Sequence, residues 1–313
     1  MPKKPNAKGL NDLRPIALTS QLMKCFERVI LCHFSKQVAA YQDPLQFAYR
    51  ESVGVDDALL YLLHRVYSHL ETAGKSVRIM FFDFSSAFNT IQPHILAKKL
   101  IDFNMNNSMV AWVMDYLTSR PQYVRLGGGI SKTVITNTGA PQGTVLSPFL
   151  FSLYTSDCRI SPASGCHLQK FSDDSALVGY ITEDSHRAYQ QEVDLFVKWC
   201  EDKDNHLMLN ISKTKELIID FRLIKAPFTP VLIKGEEIEV VPSYKYLGVL
   251  VDSKLDWREN SSAMFKKAQS RLFFLRKLHS FNVSRPLLHM FYQSILVSVM
   301  FYAVVLLGER CKN

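Results

Sequence analysis

The sequence has no CxxC pair and no histidine cluster near its six cysteines, Cys25, Cys32, Cys158, Cys166, Cys200 and Cys311. A structural zinc site of the usual spacing is therefore excluded. Scattered single thiols suit a reducing compartment, so the chain is expected in the cytoplasm, the nucleus or both. Met1 to Gly9 is polar and basic and lacks the apolar run of a secretory signal. The Asn-x-Ser sequons at Asn106, Asn210, Asn260 and Asn282 then read as chance matches. There is no internal repeat, no low-complexity tract, no GxSxG and no HExxH. Ala73-Gly74-Lys75-Ser76 ends like a phosphate-binding loop, but His69 stands where the earlier glycine belongs, and glycines 127–129 do not complete GxGxxG. Long apolar runs are scarce too. Phe291 to Leu307 is uncharged and mostly apolar, but it contains Gln293 and two serines and falls short of the roughly 20 residues that span a bilayer. It is expected to be a helix packed on the preceding helix near 257–281, with most of its apolar side chains buried.

What remains is globular: 313 residues, 47% hydrophobic, 12% aromatic and 21% charged. That composition excludes a mainly disordered, collagenous or disulfide-scaffold protein. The length allows two domains, or one large body with appendages. The net charge of +8 favours polyanionic partners.

Apolar spacing predicts helices from Leu22 to Phe34 and from Asp56 to Leu70. Val77 to Phe82 reads as a buried strand ending at Asp83, followed by a helical pattern from Ser86 to Leu100. Gln122 to Leu126 and Ser131 to Ile135 read as a hairpin across the glycines. A turn-rich stretch, Gly139 to Gly143, precedes an apolar helix from about Leu146 to Tyr154. His167 to Phe171 and Ser175 to Tyr180 flank a polar tip, Ser172-Asp173-Asp174, and read as a second hairpin. A helix from Asp184 to Cys200 and strands over Glu216 to Phe221 and Tyr244 to Val251 follow. Two long helical patterns, Trp257 to Phe281 and Arg285 to Leu307, close the chain. The fold class is therefore α+β, with a small, mainly antiparallel sheet.

Asp83 lies at the end of one strand, and Asp173 and Asp174 lie at a hairpin tip. If those strands are neighbours, three carboxylates meet at one sheet edge, as two Mg²⁺ ions clamping a phosphoryl displacement require. Taken alone, Asp173-Asp174 reads more readily as an ordinary turn. Between Lys254 and Arg285 there are eight Lys or Arg residues against Asp256 and Glu259. On a helical wheel Lys266, Lys267, Arg271 and Lys277 share one side, and Met264, Phe265, Ala268, Leu272 and Leu275 the other. Such a helix either packs on the fold while following a nucleic-acid backbone or is simply a solvated face.

Six blocks occur in order: LNDLRPIALTS from Leu10, FFDFSSAFNTI from Phe81, GAPQGTVLSP from Gly139, KFSDDSALV from Lys170, LNISKTKELIIDF from Leu209 and YKYLGVLVDSKLDW from Tyr244. Together they resemble the reverse transcriptases, RNA-directed DNA polymerases, of LINE-type (non-LTR) retrotransposons, over nearly the whole chain. The resemblance implies a right-hand polymerase with a mainly antiparallel palm sheet, helical fingers and a helical C-terminal thumb. It divides the chain into fingers (1–78), palm (79–252, with a fingers insertion around 92–135) and thumb (253–313). It implies Asp83, Asp173 and Asp174 as ligands of two Mg²⁺ (magnesium) ions, with Mn²⁺ able to substitute. Phe88 would exclude a 2′-hydroxyl, although bare it reads as core. Gln142 and Gly143 would meet the incoming nucleotide. Arg14, with Lys8 as a weaker helper, would pair with the triphosphate. Lys213, with Lys215 as its competitor, would protonate departing pyrophosphate, and Tyr244 to Gly248 would steady the primer end. The implied partners are an RNA template, a DNA primer and deoxynucleoside triphosphates, with no membrane and no particular oligomeric state.

Two departures from the family pattern are mild. Asn89 stands where a second Asp is usual, and Phe171-Ser172 stands where Tyr-Ala is common before the paired aspartates. The blocks also imply a polymerase core clipped at both ends. A catalytically inactive retrotransposon remnant that only binds nucleic acid is the alternative reading. An RNA-dependent RNA polymerase and a membrane-anchored protein rank below it.

Overall fold

Ser76–Phe82, strand β1, is buried along its whole length, so its β-branched and aromatic residues need cover on both faces. The computed structural model describes residues 9, 13, 16–72, 75–126, 128–161, 164–182, 185–202, 205–223 and 228–306. Helices α1 (Gln21–Val38) and α2 (Val55–Leu70) precede β1. After it come α3 (Ala87–Thr90), α4 (Pro93–Asp102) and α5 (Asn107–Leu117). An exposed hairpin arm follows: β2 (Arg120–Gln122) pairs with β5 (Val134–Thr136), and β3 (Arg125–Leu126) with β4 (Gly129–Ile130). Helix α6 (Ser147–Tyr154) leads into the hairpin β6 (Cys166–Phe171) and β7 (Asp174–Ile181). Next are α7 (His186–Glu201), β8 (Lys215–Asp220), the short pair β9 (Leu232–Ile233) and β10 (Glu236–Glu237), and the hairpin β11 (Ser243–Tyr246) and β12 (Val249–Asp252). Helix α8 (Arg258–Ser280), α9 (Arg285–Phe291), a π-helical stretch (Tyr292–Val297) and α10 (Ser298–Met300) end the described chain.

The central sheet is antiparallel, in the order β6-β7-β1-β8. On one face Met80 and Phe82 join residues of α4 to α7, among them Leu96, Leu150, Val193 and Phe196. On the other, Val77, Ile79 and Phe81 meet Leu59, Leu62 and Val66 of α2 and Tyr246, Val249 and Val251 of the last hairpin. Within the α7 face lies a buried ion pair. Arg78 Nε and Nη2 donate to Glu216 Oε1 and Oε2 at 2.7 and 2.8 Å, with side chains 2% and 0% exposed. The Tyr189 ring lies 5.0 Å from the guanidinium and fills the space above Gly179, where a Cβ would come within 2.3 Å of the ring.

Each outer strand of the sheet is bridged to other main chain at one residue. Along β6, Phe47 N donates to Lys170 O and Lys170 N to Leu45 O, each at 2.9 Å. Along β8, Glu216 N donates to Glu239 O at 3.0 Å and Val241 N to Glu216 O at 2.8 Å.

Three expectations need correction. The helix expected from Ser86 to Leu100 is broken: Gln92 is extended (φ −96°, ψ 116°) ahead of Pro93, which disfavours α geometry in the residue before it and starts α4. Tyr244 to Val251 is a hairpin rather than one strand, because Leu247 and Gly248 turn with φ of 46° and 88°. The C-terminal apolar segment does contact α8, but of its described apolar side chains only Leu296, Ala303 and Leu306 are buried, and Met300, Phe301, Val304 and Val305 are among those left exposed. Only one stripe of α8 faces it, and Phe265, expected on that stripe, is 63% exposed. By length and composition alone Arg285–Leu306 is apolar enough to cross a membrane. Leu307 lies outside the described residues.

A buried histidine sets one pH response. On the α2 side of the sheet, Arg65 Nε donates to the Tyr180 hydroxyl, which shares a 2.8 Å hydrogen bond with His167 Nδ1. Burial, then the Arg65 charge, pushes the His167 pKa down to about 4. Between pH 6.5 and 4 the unfolded imidazole binds a proton that the folded one refuses, so stability falls as the pH drops through that window. The expected loss is about 3 kcal/mol. Urea unfolding from pH 7 to 4 checks it, with His167→Gln flattening that part of the slope.

Candidate functional site

The register of the sheet assembles the site. Phe82 of β1 lies opposite Ser175 of β7, so Asp83 leaves β1 at the end where β7 begins with Asp174. Phe171 pairs with Asp174, leaving Ser172 and Asp173 as a two-residue turn. Ser172 has a φ of 60°, in the positive range that tight hairpin turns require at their first central residue. All three carboxyl-bearing residues thus sit at one end of two adjacent strands. Two tyrosines report the same convergence. Burial raises the Tyr244 pKa, helped by the charges of Asp174 and Asp83. Burial likewise raises that of Tyr49, with a Ser172 hydrogen bond opposing and the charges of Asp173 and Asp174 adding.

Asp83 is held from behind by the chain at 208–214. Asn210 N donates to Asp83 O at 2.8 Å, and Ser85 N donates to Met208 O at 2.8 Å. Asp83 Oδ2 is buried and has no hydrogen-bond partner. Lys213 Nζ, on a side chain 66% exposed, stands 3.6 Å from it. Lys215 is engaged elsewhere, donating to Glu239 Oε2 at 2.6 Å and to Ser212 O at 2.8 Å. Of the two lysines, Lys213 is the one at the Asp83 carboxylate.

Among the described residues, no three His, Cys, Asp or Glu side chains form a ready metal cage. The donors at this edge are nonetheless all carboxylate oxygens, one of them buried without a hydrogen-bond partner. That set fits a hard divalent ion bound through one or two carboxylates and completed by water or phosphate oxygens.

Beside Asp83 the chain folds into a small cradle. Ala140 N donates to Phe88 O at 2.8 Å and Gly139 N to Ile91 O at 2.7 Å, so the 139–143 turn lies on the α3 turn. Gln142 Nε2 donates to Asn89 Oδ1 at 3.3 Å. Phe88 is half-buried, 5.0 Å from the Phe151 ring. Gly139 has a φ of 69°, and a Cβ there would approach the Asn89 backbone to 2.8 Å. Gly143 is exposed, with a φ of 95°. Phe88, Gln142 and Gly143 are thus brought together. Arg14 and Lys8 lie outside the described residues.

On the opposite side, the Tyr244 ring stacks on Phe81 at 4.1 Å and the hairpin turns at Leu247-Gly248. The Tyr302 hydroxyl donates to Leu247 O at 2.6 Å, and a Cβ on Gly248 would meet that hydroxyl at 2.9 Å.

Sequence reasoning missed two contributors. Helix α5 went unread, although Asn106 caps it, accepting from Ser108 N at 2.8 Å. The segment 43–50 also went unread, yet its Gln46 and Tyr49 bind Ser172 at the carboxylate tip. Its only local signal is the cluster Gln46-Phe47-Ala48-Tyr49 after Pro44.

Comparison with known proteins agrees with this geometry. The family model described as reverse transcriptase (RNA-dependent DNA polymerase) matches residues 1–251. A second, described as the N-terminal part of alkylated DNA repair protein alkB homolog 8, matches residues 257–298. The RNA-directed DNA polymerases from mobile element jockey of Drosophila melanogaster and Drosophila funebris are each 26% identical, over 97% of this chain and 34% of theirs. The chain therefore spans about a third of the length of these relatives. Among solved structures, telomerase from Candida tropicalis in complex with a TWJ fragment of telomeric RNA superposes with a TM-score of 0.52, at 13% identity, over 91% of this chain and 46% of that one. That likeness gives the polymerase fold. With the family match covering well over half of its length, the chain belongs to the reverse transcriptase family.

Proposed function

We propose that this chain is the polymerase core of an RNA-directed DNA polymerase, extending a DNA primer on an RNA template with deoxynucleoside triphosphates. The observation that carries this reading is the meeting of Asp83, Asp173 and Asp174 at one sheet edge beside the Phe88–Gln142 cradle. Two Mg²⁺ ions, when bound, supply Lewis acidity for the primer hydroxyl and for the departing pyrophosphate. The three carboxylates would hold them. Lys213, beside Asp83, carries a proton at Nζ that can pass to the leaving pyrophosphate. The Gln142 amide hydrogen-bonds the nucleotide beside Gly143, whose missing side chain leaves room for Ile16. The β11–β12 turn grips the primer end. The basic side of α8 follows the duplex backbone as a thumb. We assign residues 1–78 to the fingers, 79–252 to the palm with its insertion near 92–135, and 253–313 to the thumb. Because β1 begins at Ser76, its first residues also belong to the palm sheet.

The test is primer extension by the purified chain on an RNA template with Mg²⁺. Labelled product that lengthens with template and requires deoxynucleotides is the expected result. Binding of primer–template without extension establishes the inactive, nucleic-acid-binding alternative instead.

Phe88 adds a prediction about sugar selection. Its carbonyl accepts from Ala140 N in the cradle, and as the residue that would crowd a 2′-hydroxyl its replacement, Phe88→Ala, is expected to admit ribonucleotides. The measurement is the ratio of deoxy- to ribonucleotide incorporation by folded Phe88→Ala and wild-type chains. A core-only Phe88, packed on Phe151, leaves the ratio unchanged and costs about 3–5 kcal/mol of stability.

A further inference from the structure

The segment 43–50 is docked on the carboxylate hairpin by a set of contacts that its own folding does not require. It runs parallel to β6, bridged at Gln46 and Lys170. Its root is a buried ion pair, Asp43 Oδ2 with Lys170 Nζ at 2.7 Å, and the same ammonium donates to Thr155 O at 2.6 Å and Cys158 O at 3.0 Å. From that anchor the side chains converge on Ser172. Ser172 N donates to Gln46 Oε1 at 2.9 Å, and Gln46 Nε2 donates to Ser172 O at 3.3 Å. The Tyr49 and Ser172 hydroxyls share a hydrogen bond of 2.7 Å. Both backbone polar groups and the hydroxyl of one turn residue are thus bound by two side chains of one segment.

Ser172 needs this support. Its φ of 60° is unfavourable for a residue with a Cβ, and the dihedral angles of Ser172 set where Asp173, the next residue, begins. Tyr49 is itself at a φ of 61°. A backbone in that region persists where its surroundings over-determine it, and here two such residues hold each other.

We infer that Tyr49, seated by Gln46, is a positioning residue for the Ser172–Asp173 turn, fixing the strand end that presents Asp173 and Asp174. Tyr49 acts through Ser172. The inference rests on the polymerase reading for its effect on catalysis, but its structural content stands apart from it.

Tyr49→Phe removes one hydroxyl and keeps the ring, Ser172→Ala removes the other, and the double variant completes a cycle in the full chain. Hydrogen exchange of the 170–176 backbone is read first, without nucleic acid or metal. Each single variant is expected to speed exchange there by about tenfold, and the double variant by no more than either single. In primer extension, each single is expected to lower kcat by about five- to tenfold while KM for the deoxynucleotide stays within about twofold and Tm is unchanged. Unchanged exchange in both single variants overturns the inference, as does a double variant whose effect is the product of the singles. A raised KM with kcat intact overturns it too, by making Tyr49 a substrate contact. Should wild-type chain fail to extend a primer, the polymerase reading fails, and the exchange cycle still decides whether Tyr49 positions the turn.

Discussion

Asp173→Asn and Asp83→Asn are each expected to reduce primer extension by about a thousandfold or more while leaving the fold intact. An amide is close to isosteric with a carboxylate but carries no charge with which to hold a hard divalent ion. The stability expectation is equally specific. Asp83 Oδ2 is buried without a hydrogen-bond partner, so the wild-type chain gains no protein hydrogen bond at that atom. Asp83 and Asp174 also add their negative charges at one edge. Like charges gathered for function cost stability, so neutralising one is expected to leave Tm unchanged or slightly raised. Single-turnover extension gives the first quantity and thermal unfolding in metal-free buffer the second. A large fall in Tm in either variant makes that carboxylate a structural group and removes it from the site.

The largest stability effect is expected at the buried pair. Glu216→Gln leaves the Arg78 guanidinium without its counter-charge under the Tyr189 ring, in a place closed to water. Breaking such a pair from one side costs about 3–5 kcal/mol. Replacing both members, Arg78→Met with Glu216→Leu, is expected to recover most of that, because the cost of desolvating the two charges disappears with them. Urea unfolding of Arg78→Met, Glu216→Leu and the double variant measures the coupling directly. A double variant as unstable as the sum of the singles rejects this account.

The parts of the fold that were legible in the sequence are those fixed by local pattern. β1 and the β6–β7 hairpin were readable because a short apolar run ends at a carboxylate in one case and brackets a polar tip in the other. Their adjacency was only a condition, and the Phe82–Ser175 register meets it. The broken helix after Asp83 was legible in principle, since Pro93 marks it, but the apolar spacing on either side runs on in phase. The β11–β12 turn was hidden because Tyr244 to Val251 is apolar enough to read as one strand, and a single glycine was the only sign of reversal. Other features were beyond local reading. Whether Lys213 or Lys215 reaches Asp83 is decided by Glu239, which occupies Lys215 from another part of the chain. The docking of 43–50 depends on backbone bonds to Lys170 and a side-chain fork onto Ser172, both more than a hundred residues away. The C-terminal segment misled because apolar residues imply cover, and among the described residues α8 supplies it on one stripe only.

The bridged edges of the palm sheet bear on how this chain can associate with others. An open edge strand is a template for another chain, through domain swapping, strand addition or fibril growth. Here the outer ladders of β6 and β8 are each interrupted by native main-chain bonds, at Lys170 and at Glu216. A foreign strand pairing with β6 at Lys170 would have to displace the segment that holds Ser172, so invasion at that end of the edge and loss of the ordered carboxylate tip are one event.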